Sequence, residues 1–138
     1  AWLLQTEERF LLAAAAKAAQ DYQHKGKMKN TLPLNQNTLF KRLYFRGKPY
    51  FSTFFVLYVM PNKSSINYLG FTVSKKIGKA VVRNRARRLM YEAFRLYEPQ
   101  LKTGFNMVLV AKPTITQADF HQLHRQLGGV LKKADLFL

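Results

Sequence analysis

Apolar residues recur along this 138-residue chain with two different periods, and the alternation between them marks out the elements. Over 37–47, Leu39 and Leu43 fall at i, i+4, and so do Phe40 and Tyr44, which predicts a short helix carrying one aliphatic and one aromatic pair. Asn37 or Thr38 is placed to cap its first turn, and Gly47 to supply a left-handed stop. Residues 50–60 are dense in aromatic and β-branched side chains, break at Pro61-Asn62-Lys63-Ser64, and give way to renewed strand character over 66–74, the pattern of a β-hairpin. Period two puts Phe54, Val56 and Tyr58 on one face of the first strand and Phe55, Leu57 and Val59 on the other. Both faces are apolar; one packs on helices, while the aromatic one need not be fully covered.

Residues 79–97 follow as a helix with an apolar stripe of Val82, Ala86, Leu89, Ala93 and Leu96. Asn84, Arg87, Arg88 and Arg95 lie opposite that stripe, with Arg83 and Arg85 on its flanks. The near-continuous apolar run 105–111 reads as a strand buried on both faces and ends at Pro113. A last helix over 117–133 gathers Phe120, Leu123, Leu127, Val130 and Leu131 on one side. Helix, hairpin, helix, strand, helix is an α+β order, an α/β sandwich whose single sheet contains a β-α-β crossover.

Residues 1–27 differ in character. Leu3, Leu4, Phe10, Leu11 and Leu12 offer an apolar side to an alanine-rich helix, and Glu7, Glu8 and Arg9 stand where a secretory signal would carry cations, which argues against export. Met28 opens a second beginning, Met-Lys-Asn-Thr-Leu, so 1–27 is either an upstream extension or an added leader to a single domain at 28–138. No stretch approaches the roughly 20 apolar residues that cross a bilayer.

Charge sharpens the picture. The chain has 23 Lys+Arg against 7 Asp+Glu, and residues 28–91 hold 13 of those cations with no carboxylate at all. Such a stretch cannot neutralise itself, so its cations repel one another until a polyanion arrives; a merely solvated basic face is the plain alternative. Without cysteine there are no disulfides, thiolate metal sites or thiol nucleophiles. Glu92, Glu98, Asp119 and Asp135 are too dispersed to demand a shared metal, His121 and His124 at i, i+3 read as helix surface, and Gly78-Lys79 lacks the rest of a phosphate loop. The chain does not look like a catalyst by itself. It offers arginines fixed on one helix, whose planar forks suit phosphate, and the aromatics Phe40, Tyr44, Phe54 and Tyr58, which either stack unpaired bases or fill the core; spacing alone slightly favours the core.

The run 74–89, Ser-Lys-Lys-Ile-Gly-Lys-Ala-Val-Val-Arg-Asn-Arg-Ala-Arg-Arg-Leu, closely resembles the signature of the bacterial ribonuclease P protein component, and the likeness extends over about 29–137. The resemblance implies that catalysis belongs to a partner RNA, the RNase P catalytic RNA. The protein then helps bind precursor tRNA and the Mg²⁺ ions used in endonucleolytic removal of its 5′ leader, in the cytoplasm. It assigns contact with the catalytic RNA to Lys75, Lys76, Arg83, Asn84, Arg85, Arg87 and Arg88, and a leader cleft to Phe40, Tyr44, Val56 and Tyr58. It also implies a mixed sheet with a left-handed β-α-β crossover. Tyr91 stands where members often carry a basic residue, and Tyr44 replaces a frequent phenylalanine; both suit RNA stacking. Residues 1–27 lie outside the likeness, and their apolar side needs a partner surface, their own domain or a second copy of the chain. The rival reading is an RNA-binding module or RNA chaperone with no part in cleavage.

Overall fold

The computed structural model describes residues 28–138, so the expectations for 1–27 lie outside the described residues. Strand β1 (Thr31–Pro33) leads into helix α1 (Asn37–Arg46), strands β2 (Lys48–Phe51), β3 (Phe55–Pro61) and β4 (Asn67–Thr72), helix α2 (Ala80–Tyr97), strand β5 (Phe105–Ala111) and helix α3 (Phe120–Lys133). Short 3₁₀ turns at Lys75–Ile77, Glu98–Gln100 and Pro113–Gln117 bracket the longer helices.

The five strands form one mixed sheet in the order β1-β4-β5-β3-β2. Its parallel pairs are β1 with β4 and β4 with β5, and the other two pairs are antiparallel. β4, α2 and β5 therefore form the expected β-α-β crossover. The expected hairpin between the strands at 50–60 and 66–74 does not form, because β5 lies between β3 and β4 and satisfies both. The local hairpin is instead β2 with β3, closed by a turn at Ser52, whose hydroxyl accepts from the Phe54 and Phe55 N–H groups.

Alternation along the strands divides the core. Phe55, Leu57 and Val59 of β3, Leu69 of β4 and Met107 and Leu109 of β5 face α2 and α3, packing on Ala86, Leu89, Phe94, Leu123, Leu127 and Leu131 in the main core. Phe54 leaves its expected face and is buried there too, because it lies in the turn rather than in the strand. On the opposite face Val108 packs with Leu43 of α1 and Leu34, with Phe40, Tyr58, Met60, Tyr68 and Val110 around them.

Helix ends carry the other corrections. α1 starts after Gln36, which makes no side-chain cap, and Gly47 at its end is extended (φ −69°, ψ 151°) rather than left-handed. Glycine is needed there for space: a Cβ would meet the Leu43 carbonyl oxygen at 2.5 Å. α3 begins after Asp119, which forms a reciprocal capping box with Gln122. The end of α2 is tied to the start of the domain by Glu98, a buried carboxylate that accepts from the Lys29 and Asn30 N–H groups and the Thr31 hydroxyl at 3.1–3.2 Å.

Candidate nucleic-acid interface

α2 opens with no side-chain cap and no acidic residue in its first turn. The unpaired N–H groups and positive dipole end of the helix thus add to the nearby cations instead of being answered by a carboxylate. Lys75 and Lys76 are exposed on the 3₁₀ turn just before it, and Asn84, Arg87 and Arg88 are exposed along its outer side. Arg83 is half-buried, its Nε donating to the Gly78 carbonyl at 3.2 Å. Arg87 is steadied by Asn84, whose Oδ1 accepts from Nη1 at 3.4 Å, and Arg95 is held bidentately by Glu92 at 2.7 and 3.0 Å.

Arg85 departs from this array. Its side chain is buried, 4% exposed, and donates from Nη2 to the Ala118 carbonyl at 2.9 Å, fastening α2 to the segment before α3. The apolar stripe is rotated from its expected line, so that Arg85 falls inside it and Leu96, an expected stripe member, is exposed. Tyr91 is likewise turned inward, edge-on to Phe71 with ring centroids 6.5 Å apart, and is not a surface for stacking RNA.

The four cleft residues gather on the sheet face that α1 partly covers. Tyr44 stands edge-on to Tyr58 at 5.4 Å, and its hydroxyl shares a 2.7 Å hydrogen bond with Thr72. Tyr58 and Val56 occupy alternate positions of β3 opposite Val108 and Val110 of β5, and both are half-buried, between core and solvent. The Phe40 ring lies over Gly70 so closely that a Cβ there would sit 2.5 Å from it. β1 stops at Pro33 and leaves the second half of β4 unpaired on that edge; here a cleft of about 270 Å³ is lined by Phe40, Gly70, Phe71 and Arg87 among others. Phe40 of the aromatic set and Arg87 of the arginine helix therefore line one cleft.

Two further aromatics extend this surface beyond the expected set. Phe51, 65% exposed, is the cross-strand neighbour of Val56, and Lys112 holds its ammonium 5.8 Å from the Phe51 ring while donating to the Ser52 carbonyl at 2.7 Å. Phe45 on α1 is 89% exposed. Exposed phenylalanines beside cations and away from any carboxylate run suit stacked bases.

A family model described as Ribonuclease P matches residues 28–135. The chain belongs to the ribonuclease P protein family. As a member it is the protein component of an endoribonuclease complex with a role in tRNA 5′ processing. It is 46% identical over 104 residues to the ribonuclease P protein component of Caldanaerobacter subterraneus, covering 75% of this chain and 90% of that one. The Clostridium perfringens component is 40% identical over 112 residues, with coverages of 76% and 90%. The fold is similar to the solved RNase P proteins of Staphylococcus aureus (TM-score 0.71, 30% identity, 77% of this chain and 97% of that one) and Thermotoga maritima (0.68, 26%, 74% and 96%).

Proposed function

We propose that this family member binds the catalytic RNA of its complex through Lys75, Lys76, Arg83, Asn84, Arg87 and Arg88, and the single-stranded 5′ leader of precursor tRNA through Phe40, Tyr44, Val56 and Tyr58. The observation that carries the reading is the cleft that Arg87 and Phe40 both line, so a base stacked on Phe40 lies beside the RNA-facing helix. Among the described residues no group of three His, Asp or Glu side chains is placed to hold a metal ion, and in our reading the Mg²⁺ ions are bound mainly by the RNA and the substrate. The protein's part is to bind and align: arginine forks neutralise phosphates, and aromatic rings take bases without regard to sequence. Hydrolysis of the phosphodiester is then the work of the partner RNA, in a cytoplasmic setting. No helix among the described residues is long and apolar enough to cross a membrane.

The test compares two ligands. Tyr58→Leu should weaken binding of precursor tRNA to the reconstituted complex by about 1–3 kcal/mol and leave mature tRNA binding unchanged. Equal losses for both ligands would return Tyr58 to a purely structural role. Tight general RNA binding without any help to cleavage at low Mg²⁺ would favour the RNA-chaperone reading.

A further inference from the structure

The domain begins on the wall of a cleft. Met28, packed into the main core, lines the 270 Å³ cleft together with Leu32, Pro33, Leu34, Phe40 and Phe71, and Arg87 is the only charged side chain among the lining residues. Leu32 is 43% exposed and Phe40 and Phe71 are half-buried, so the cleft presents apolar surface to whatever enters it. The Lys29 and Asn30 N–H groups donate to the Glu98 carboxylate, which pins the point where residues 1–27 join the domain. The residues before Met28 are therefore attached at the cleft itself.

Their composition complements it. Leu3, Leu4, Phe10, Leu11 and Leu12 are apolar, and Glu7 and Glu8 stand just ahead of Phe10. The stretch 28–91 offers no carboxylate of its own, and the Arg87 guanidinium is answered only by the neutral amide of Asn84 at 3.4 Å. Glu7 and Glu8 can supply the missing counter-charge while the apolar residues beside them cover the apolar lining. Reach is not limiting, because residues 11–27 extended would span about 60 Å. Attachment through so short a tether raises the local concentration of the segment towards the millimolar range, which favours the chain's own segment over that of a second copy.

We propose that residues 1–27 dock in this cleft of their own chain, with Phe10, Leu11 and Leu12 against Leu32 and Phe40 and the carboxylates of Glu7 and Glu8 beside Arg87. The segment is then an intramolecular competitor of RNA. Docking stands on the cleft, the tether and the charges; its effect on RNA rests on the leader-binding reading above. A strand that stacks on Phe40 must first displace the segment, and its apparent affinity is lowered by the fraction of molecules in which the cleft is open.

The experiment reads tryptophan fluorescence from the full chain. Trp2 is its only tryptophan, so Trp2→Phe combined with Phe10→Trp moves the single reporter to the proposed anchor. Emission should lie to the blue of that in urea and stay there on dilution. It should move to the red when Leu32→Glu puts a carboxylate into the cleft, and equally when Glu7→Lys and Glu8→Lys reverse the charge of the segment; the latter pair leaves residues 28–138 untouched. Emission already matching that in urea, a blue shift that neither change removes, or one lost on dilution overturns the docking. In the complex with the cognate catalytic RNA, Phe10→Asp with Leu11→Asp should tighten precursor tRNA binding by roughly 3- to 10-fold, the gain when a cleft open in about 10–30% of molecules becomes fully open, and leave mature tRNA binding unchanged. Docking seen by fluorescence without that gain overturns the leader reading and leaves the docked segment standing.

Discussion

Adding one methyl group at Gly70 tests how the cleft is assembled. Gly70 lies within β4 beneath α1, and a Cβ there would sit 2.5 Å from Phe40 Cζ, 2.7 Å from Cε1 and 3.2 Å from Val108 Cγ2. Carbon atoms rest at about 3.5–4.0 Å, so in Gly70→Ala the Phe40 ring must retreat by roughly 1 Å. Overpacking of this kind costs about 1–3 kcal/mol. Against it stands a gain of about 0.4–1 kcal/mol, because alanine has fewer unfolded conformations to lose. The expected net effect is a loss of roughly 0–2.6 kcal/mol. In a Phe40→Ala background the nearer obstacle is gone and Val108 Cγ2, at 3.2 Å, need give by only a few tenths of an ångström, so Gly70→Ala should become close to neutral there. Urea midpoints of the four proteins, compared at equal m, measure that difference. An equal cost of Gly70→Ala in both backgrounds would refute the placement of the ring. The same displacement moves Phe40 within the cleft that Arg87 also lines, so Gly70→Ala should also weaken precursor tRNA binding while every aromatic residue remains.

The arginines should separate into two behaviours. Replacing Arg87 and Arg88 together by alanine should leave thermal unfolding unchanged and lower the salt slope of RNA binding by about 1.4–1.8, whereas Arg85→Ala should cost on the order of 2–4 kcal/mol of stability and leave the slope alone. His124 gives a pH test. Burial, and secondly the charge of His121, lower its pKa below the ordinary 6.5, and its ring stacks on Tyr97 at 4.3 Å. Folding disfavours the protonated form, so the stability this group contributes is full above about pH 6.5 and is lost as pH falls through the lower folded value. The unfolding midpoint should therefore drop between pH 7.5 and 5 more in the wild type than in His124→Phe, and parallel profiles would contradict this.

Elements set by a local period were legible in the chain: α1, α2, α3 and the doubly buried β5 all lie close to their expected positions. Pairing was not. Strands 50–60 and 66–74 look like hairpin partners because they are adjacent in sequence, but the residues that pair with both come some forty positions later, and no local signal carries that information. β1 has only three residues, one of them proline, too few for a period to show. In the site, the cations were legible as a set, but the inward turn of Arg85 depends on the Ala118 carbonyl, contributed from a distant segment. Gly47 was marked as a helix stop for the wrong reason, since crowding by Leu43, not backbone handedness, excludes a side chain.

The insertion of β5 between β3 and β4 also imposes an order of events on the growing chain. When synthesis has just passed Thr72, β2 and β3 can already pair, but β3 and β4 each have an open edge with nothing to join them. The central strand is complete only at Ala111, and at about 5–20 residues per second the nascent chain spends roughly 2–8 s between those points. Over that interval the carboxylate-free stretch 28–91 is completed with its cations and without a closed sheet, so electrostatic repulsion opposes the addition of two unpaired hydrophobic edges to those of a neighbouring chain.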